Sequence, residues 1–136
     1  MIPYLLGSGN SAKAILNSLA IIPNIDSDIT IEPIRKVQRD QVLSDFNPCK
    51  NSILFIANPH GLHAKKVIEA DKAGFTNIVV EKPICCSLNE LEQLSSVKAK
   101  VAVLHIYRQT WGIQTLKEII NAGDFGKIVS IESRYW

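Results

Sequence analysis

Short apolar runs alternate along this chain with segments whose apolar residues recur at helical spacing. The apolar runs have the length of β-strands and end at glycine, proline or polar residues. Six strands are predicted, over residues 4–6, 29–34, 52–57, 77–80, 101–105 and 128–136. Residues 52–57 are apolar on both faces, as in a central parallel strand. Residues 29–34 include Pro33, which donates no backbone hydrogen bond, so this strand should stop there or lie where that donor is not needed.

The segments between the predicted strands favour helices. The first is predicted to begin near Ser11, to end at Pro23 and Asn24, and to bury Ala14, Ile15, Ser18, Leu19 and Ile22. Further helices are predicted over about residues 39–46 and 61–72. A fourth opens on a capping box at Ser87 and Glu90 and turns Leu91, Leu94 and Val97 inward. A fifth ends at Gly123 with a stripe of Leu116, Ile119 and Ile120. The alternation predicts an α/β fold, a doubly wound parallel sheet with helices on both faces.

Length and charge narrow the function classes. A chain of 136 residues has room for one domain. The net charge is +2 and the basic residues are scattered, so we expect no nucleic-acid partner. The apolar runs fall far short of the ~20 residues that span a bilayer, and the N-terminus lacks the basic segment of a signal peptide. The three cysteines have no zinc spacing, so we expect reduced thiols, no bound metal and a cytoplasmic location.

A glycine-rich turn follows the first predicted strand. Gly7-Ser8-Gly9-Asn10-Ser11-Ala12 fits the pattern G-x-G-x-x-G/A between a strand and a helix. The first glycine allows a tight turn, the second lets the backbone approach a pyrophosphate, and a small third residue lets helix and strand pack. The helix N-terminus then offers free N–H groups to the phosphates. We therefore predict that Gly7, Ser8, Gly9, Asn10 and Ser11 bind a dinucleotide, the alternative being a plain tight turn.

The end of the second predicted strand bears on the choice between NAD and NADP. An acidic residue there would bond the ribose hydroxyls of NAD, but the strand ends Ile34-Arg35-Lys36. Glu32 precedes Pro33 and is expected inside the strand. Arg35 and Lys36 suit the 2′-phosphate of NADP, so NADP is favoured over NAD. The alternative is that both are solvated loop charges.

Three further segments carry a family resemblance. They are Ala57-Asn58-Pro59-His60-Gly61-Leu62-His63, Glu81-Lys82-Pro83 and His105-Ile106-Tyr107-Arg108, which follow the third, fourth and fifth predicted strands. With the glycine turn, in this order and spacing, they resemble the glucose–fructose oxidoreductase / inositol dehydrogenase / rhizopine-catabolism (Gfo/Idh/MocA) family. The resemblance covers essentially the whole chain, and Glu-Lys-Pro after a helix led by Leu-His is its most specific part. Residues 123–127 resemble the segment that leads into the family's second domain.

The resemblance implies roles for the first of these segments. Ala57, Asn58, Pro59 and His60 would form the loop along the nicotinamide ribose. His63 matches the Leu-His position of the family and is included among the cofactor-binding residues. The alternative for His63 is a histidine at a helix start bonded to local backbone.

The resemblance also assigns the Glu-Lys-Pro segment and Arg108. Lys82 matches a lysine near nicotinamide and substrate, where an ammonium can polarise the reacting oxygen or help to move a proton. Glu81 would orient the loop or contact the cofactor, and the peptide before Pro83 would be cis. The alternative is a helix-entry turn whose charged pair is merely exposed. Arg108 matches a family arginine, although Gln109-Thr110-Trp111 departs from the usual aromatic and proline there.

Taken together, residues 1–127 are expected to form an NAD(P)-binding Rossmann domain. Residues 128–136 would be the first strand of an α+β substrate domain that this sequence lacks. The resemblance implies an oxidoreductase that moves a hydride between nicotinamide and a sugar, inositol or related polyol. That domain would supply a catalytic histidine, so this chain alone should be inactive. Its last strand could pair with a second copy, giving a homo-oligomer. The alternatives are a non-catalytic NAD(P) sensor of the same fold and a Rossmann-like domain that has lost its ligand.

Overall fold

Five parallel strands form one sheet in the computed structural model, which describes residues 1–26, 28–38 and 40–134. The strands are β1 (Ile2–Leu6), β2 (Arg35–Val37), β3 (Ser52–Ile56), β4 (Asn77–Glu81) and β5 (Lys100–Leu104), in the order β2-β1-β3-β4-β5. The helices are α1 (Asn10–Ile25), α2 (His63–Lys72), α3 (Leu88–Leu94) and α4 (Trp111–Ala122). Short 3₁₀ turns occupy Leu43–Phe46, His60–Leu62 and Ile106–Gln109. The chain divides into two units, Met1–Leu104 and His105–Trp136.

Two apolar layers cover the two faces of the sheet. Successive side chains of a strand point to opposite faces, so Tyr4 and Leu6 join one layer and Leu5 joins the other. Val67 and Ala70 of α2 pack on the first layer. Ala12, Ile15 and Leu19 of α1 pack on the second layer. Helices on both faces of a parallel sheet confirm the predicted doubly wound α/β fold.

The second strand is not where the apolar pattern predicted it. Residues 29–34 form no strand, and β2 is the three-residue segment Arg35–Val37, paired with β1 from Tyr4 to Leu6. Pro33 has no N–H to give to a ladder. Ile31 and Ile34 pack instead as loop residues against the α1 layer. The predicted strand was wrong because its alternating isoleucines serve packing rather than strand pairing.

Several helix boundaries also differ from the prediction. Helix α1 continues past Pro23 to Ile25, closed by a bond from Asp26 N–H to the Ile22 carbonyl. Ala14 and Ser18 are exposed, and α1 buries Ala12 instead. Leu91 of α3 is 53% exposed, whereas Leu94 and Val97 pack on the core as predicted.

The segment between β2 and β3 and the end of the chain depart further. The predicted helix over 39–46 is reduced to the 3₁₀ turn Leu43–Phe46, which fully buried Leu43 anchors and Asn47 ends in a left-handed conformation. Residue Arg39 lies outside the described residues. Residues 128–134 form no strand, because a strand needs a hydrogen-bonding neighbour and no described segment pairs with them. Tyr135 and Trp136 of that predicted strand lie outside the described residues.

The second unit is built around α4. The helix ends at Gly123, as predicted. Gly123 adopts a left-handed conformation, which costs glycine little because it has no Cβ. Its predicted stripe of Leu116, Ile119 and Ile120 is between 39% and 46% exposed. Across the described part of the chain, no helix has the combined length and apolar character that a membrane span requires.

Candidate cofactor site

A cavity of about 930 Å³ lies at the carboxyl ends of β1, β2 and β3. It is lined by Leu6, Gly7, Ser8, Gly9, Lys36, Val37, Gln38, Ala57, Asn58, Pro59 and His60. The chain leaves β1 for β2 on one side of it, and β3 pairs with β1 on the other. Doubly wound sheets bind their ligands at such a reversal of strand order. The glycine turn and the loop after β3 therefore meet where the fold favours a ligand.

Gly7 is glycine for a packing reason. Its φ is +131°, a conformation that residues with a Cβ rarely adopt. A Cβ at Gly7 would overlap the carbonyl group of Ala57, lying 2.6 Å from the carbonyl carbon. Ala57 is held there by a 2.8 Å bond from its N–H to the Leu6 carbonyl. Gly7 thus lets the turn after β1 close against the end of β3.

Gly9 has no such reason within the protein. It is the N-cap of α1 with φ −75° and ψ −168°, angles open to any residue. A Cβ at Gly9 would meet no atom within 4 Å. The α1 cap has no side-chain hydrogen bond and its first turn has no acidic residue. The open space and free helix start fit a pyrophosphate, which needs close backbone approach. Asn10 and Ser11 follow as the first residues of α1, and Ala12 is 1% exposed at its small third position.

Asn58 carries a buried acceptor without a partner. Among the described residues, its Oδ1 is the buried side-chain nitrogen or oxygen atom that has no hydrogen bond. Leaving such a group unsatisfied costs about 1–3 kcal/mol. A ribose hydroxyl donating to Oδ1 would satisfy it once the Asn58 side chain turns this atom toward the cavity. Two separate points at the cavity therefore suit a dinucleotide: the free N–H donors beside Gly9 and the Oδ1 acceptor of Asn58.

The β2 wall separates the two cations that the sequence grouped together. Lys36 lines the cavity. Arg35 does not, since its Nη1 donates to the Tyr4 hydroxyl at 2.9 Å and its Nη2 lies 3.6 Å from Glu32. Gln38 also lines the cavity, and sequence reasoning missed it. Pro33 already disfavoured a strand over 29–34. A strand placed after it, ending at Val37, would have put Gln38 at the carboxyl end where the cavity lies.

The Glu-Lys-Pro segment begins at the last residue of β4, the strand beside β3 in the sheet. Glu81 is the last residue of β4 and is 8% exposed, and its Oε2 accepts a bond from Lys82 N–H at 3.2 Å. The Lys82–Pro83 peptide is cis, which confirms that expectation. The Lys82 side chain is exposed and does not line the cavity.

His63 does not line the cavity. His63 is fully buried, and each of its ring nitrogens lies within hydrogen-bond distance of a backbone carbonyl oxygen. Arg108 belongs to the second unit, where it is exposed and its carbonyl accepts a bond from Gln114.

Comparisons with known proteins were informative at the level of structure. No protein-family model matches the chain, and no curated protein matches it. An NAD binding oxidoreductase from Klebsiella pneumoniae matches with a TM-score of 0.75 and 19% identity over 93% of this chain and 40% of its own. Levoglucosan dehydrogenase in its apo form matches with a TM-score of 0.74 and 23% identity over 93% and 39%. Myo-inositol 2-dehydrogenase from Lactobacillus plantarum matches with a TM-score of 0.69 and 18% identity over 95% and 43%.

These likenesses establish the fold as an α/β Rossmann-type domain of the kind found in NAD-binding oxidoreductases. The matched structures are of the Gfo/Idh/MocA type, so the resemblance drawn from the sequence is confirmed at the level of the fold. The chain spans about two fifths of the length of each of these structures.

Proposed function

We propose that this chain is the nucleotide-binding domain of an NAD(P)-dependent oxidoreductase that acts on a sugar, inositol or related polyol. The observation that carries the proposal is the pairing of Gly9 with Asn58 at one cavity. Protein packing explains neither the glycine nor the unpartnered oxygen. A dinucleotide would account for the glycine, and it would account for the oxygen if the Asn58 side chain turned toward it. The matched inositol and levoglucosan dehydrogenases support the substrate class.

The residues present fit each part of the cofactor. The pyrophosphate would lie at Gly9 and the start of α1, where free N–H groups favour an anion. Asn58 would accept from the nicotinamide ribose, and Lys36 and Gln38 would face the adenosine ribose. When bound, the nicotinamide ring supplies the carbon that takes or gives the hydride.

Lys82 is the proposed catalytic residue of this chain. Its ammonium has no ion pair among residues 1–26, 28–38 and 40–134. A free cation on the loop after β4 could polarise the substrate oxygen or move a proton at it. A histidine of a substrate domain would complete the acid–base pair. In this proposal, residues 1–127 are the nucleotide-binding domain and residues 128–136 lead into that substrate domain.

The cofactor proposed is NADP. Within the described residues, no Asp or Glu lines the cavity, whereas Lys36 and Gln38 do. A carboxylate would bond the 2′-hydroxyl of NAD and repel a 2′-phosphate, and a cation favours the phosphate. Lys36 carries this role here, because Arg35 is engaged by Tyr4 and Glu32.

The test is a titration with NADPH and with NADH, followed by nicotinamide fluorescence. Gly9→Val fills the space beside α1 without straining the backbone, so it should abolish binding and leave the fold intact. The matched control is Gly112→Val, because Gly112 also stands at a helix start and its Cβ also meets nothing within 4 Å. Saturable binding that only Gly9→Val removes supports the proposal. Equal binding by Gly9→Val and the wild type would overturn it.

A further inference from the structure

His63 joins two loops that follow neighbouring strands. We define the ribose loop as residues 57–60, after β3, and the lysine loop as residues 81–84, which starts at the end of β4. His63 Nε2 lies 2.7 Å from the Asn58 carbonyl oxygen, and Nδ1 lies 2.7 Å from the Pro83 carbonyl oxygen. The residue is fully buried at the first position of α2. The pairing of β3 with β4 ends at Ile56 and Val80. The His63 ring therefore connects the two loops just beyond the end of this pairing.

We propose that His63 is a positioning residue that fixes Lys82 relative to the nicotinamide end of the cofactor. The proposal rests on the proposed function, since it assigns Asn58 to the cofactor and Lys82 to the reaction. His63 itself does not line the cavity. It acts through the backbone on either side of it, at Asn58 in one loop and one residue beyond Lys82 in the other.

The two carbonyl partners define the chemistry of this bridge. A carbonyl oxygen only accepts, so each contact needs an N–H on the ring. A neutral imidazole carries one N–H and would hold one loop, whereas a ring with hydrogens on both nitrogens holds both. The His60 ring centre lies 5.5 Å from that of His63, and the nearly buried Glu81 and the exposed Lys82 belong to the loop whose Pro83 carbonyl His63 contacts. His63 therefore contacts both loops, one through each ring nitrogen.

The bridge matters because, among the described residues, neither the Asn58 nor the Lys82 side chain has a hydrogen bond or ion pair that would fix it. The Asn58 oxygen has no partner, and the Lys82 side chain is exposed. A shift of either loop would change the distance between the nicotinamide site and the ammonium. Misplacement of about 1 Å at a reacting centre can cost a hundredfold in rate. A buried ring bonded to both main chains limits that shift.

The first experiment needs no ligand. Backbone amide NMR spectra of His63→Phe, which keeps a ring but removes both donors, are compared with the wild type. Amide shifts in both the ribose loop and the lysine loop are expected. His105→Phe is the matched control, because His105 is exposed and lies in the second unit. Shifts confined to α2 would overturn the bridge.

The second experiment separates positioning from a general effect on the fold. The adenosine half of the cofactor alone (2′,5′-ADP, or ADP if NADH binds better) does not reach the nicotinamide site. His63→Phe should weaken the whole dinucleotide about tenfold, the effect of one lost charged or well-placed hydrogen bond. The affinity of His63→Phe for the adenosine half alone should stay within about twofold of the wild-type value. His63→Asn, which retains one donor, should recover part of the loss.

An equal loss for the half and the whole would overturn the positioning role. Failure of the proposed function gives a different result, because the wild type would then bind neither compound. In that case the amide shifts in the two loops still decide whether His63 bridges them.

Discussion

Gly7 and Ala57 approach so closely that no side chain fits between them. The contact joins the turn after β1 to the end of β3, with the Ala57 carbonyl in the space that a Cβ of Gly7 would take. It also sets one edge of the cavity, which both residues line. The same residue therefore serves the fold and the site.

Gly7→Ala should lower the free energy of unfolding by about 2–4 kcal/mol, because positive φ and backbone overlap add. Gly74→Ala is the control. Gly74 has φ +92°, but its Cβ would make only an ordinary 3.8 Å contact with Pro48. Gly74→Ala should lower the free energy of unfolding by about 1 kcal/mol, because only the backbone strain applies there. Urea unfolding of the two variants measures the difference, and equal losses would show that the overlap is relieved at no cost.

Lys36 should decide the preference for NADPH. Lys36→Gln removes the cation at the cavity and is expected to weaken NADPH about tenfold, as loss of one phosphate contact does. NADH affinity should change little, because NADH has no 2′-phosphate. Arg35→Gln is the comparison, since Arg35 is held by Tyr4 and Glu32 away from the cavity. Fluorescence titrations check both, and a loss of NADPH affinity specific to Arg35→Gln would contradict the assignment.

Four of the five strands were predictable because each is an apolar run closed by a turn or a polar residue. The edge strand β2 was not, since Val37 is its one buried residue and Arg35 and Lys36 carry no apolar signal. Residues 29–34 have that signal without the pairing. Because the strand was predicted too early in the sequence, Arg35 and Lys36 were assigned the same role. Gln38, which lines the cavity, was not predicted.

The site could be predicted as far as its motifs reach. The glycine turn and the loop after β3 are each recognisable from a short stretch of sequence, and both line one cavity in the structure. The bridge by His63 was not predictable, because it depends on a contact across 20 residues of sequence. The same holds for the empty space at Gly9 and the unpartnered oxygen of Asn58, which are properties of packing rather than of residue type.

Cys49 should be the most reactive of the three thiols. It is exposed, and hydrogen bonds from Ser52 and from backbone groups lower the pKa of its thiol, with the Ser52 hydroxyl as the largest cause. A lower pKa leaves more thiolate at a given pH, so alkylation of Cys49 should rise at lower pH than that of a free cysteine. Ser52→Ala should shift the profile back toward higher pH. Mass-spectrometric rates for each cysteine test this, and an unchanged Cys49 profile in Ser52→Ala would exclude the serine as its cause.

Asn58→Leu should stabilise the protein while it weakens the cofactor. Leucine has nearly the same shape but no oxygen to leave unpaired, so the free energy of unfolding should rise by about 1 kcal/mol. NADPH affinity should fall, because the ribose loses its acceptor. The control is Asn77→Leu. The wild-type Asn77 amide donates to the Lys50 and Ser52 carbonyls and to the Thr76 hydroxyl. That variant should be destabilised, since it removes satisfied bonds. Thermal unfolding with and without NADPH measures both effects. A destabilised Asn58→Leu would mean that the oxygen has a partner within the protein, and the case for a ribose at this position would then be lost.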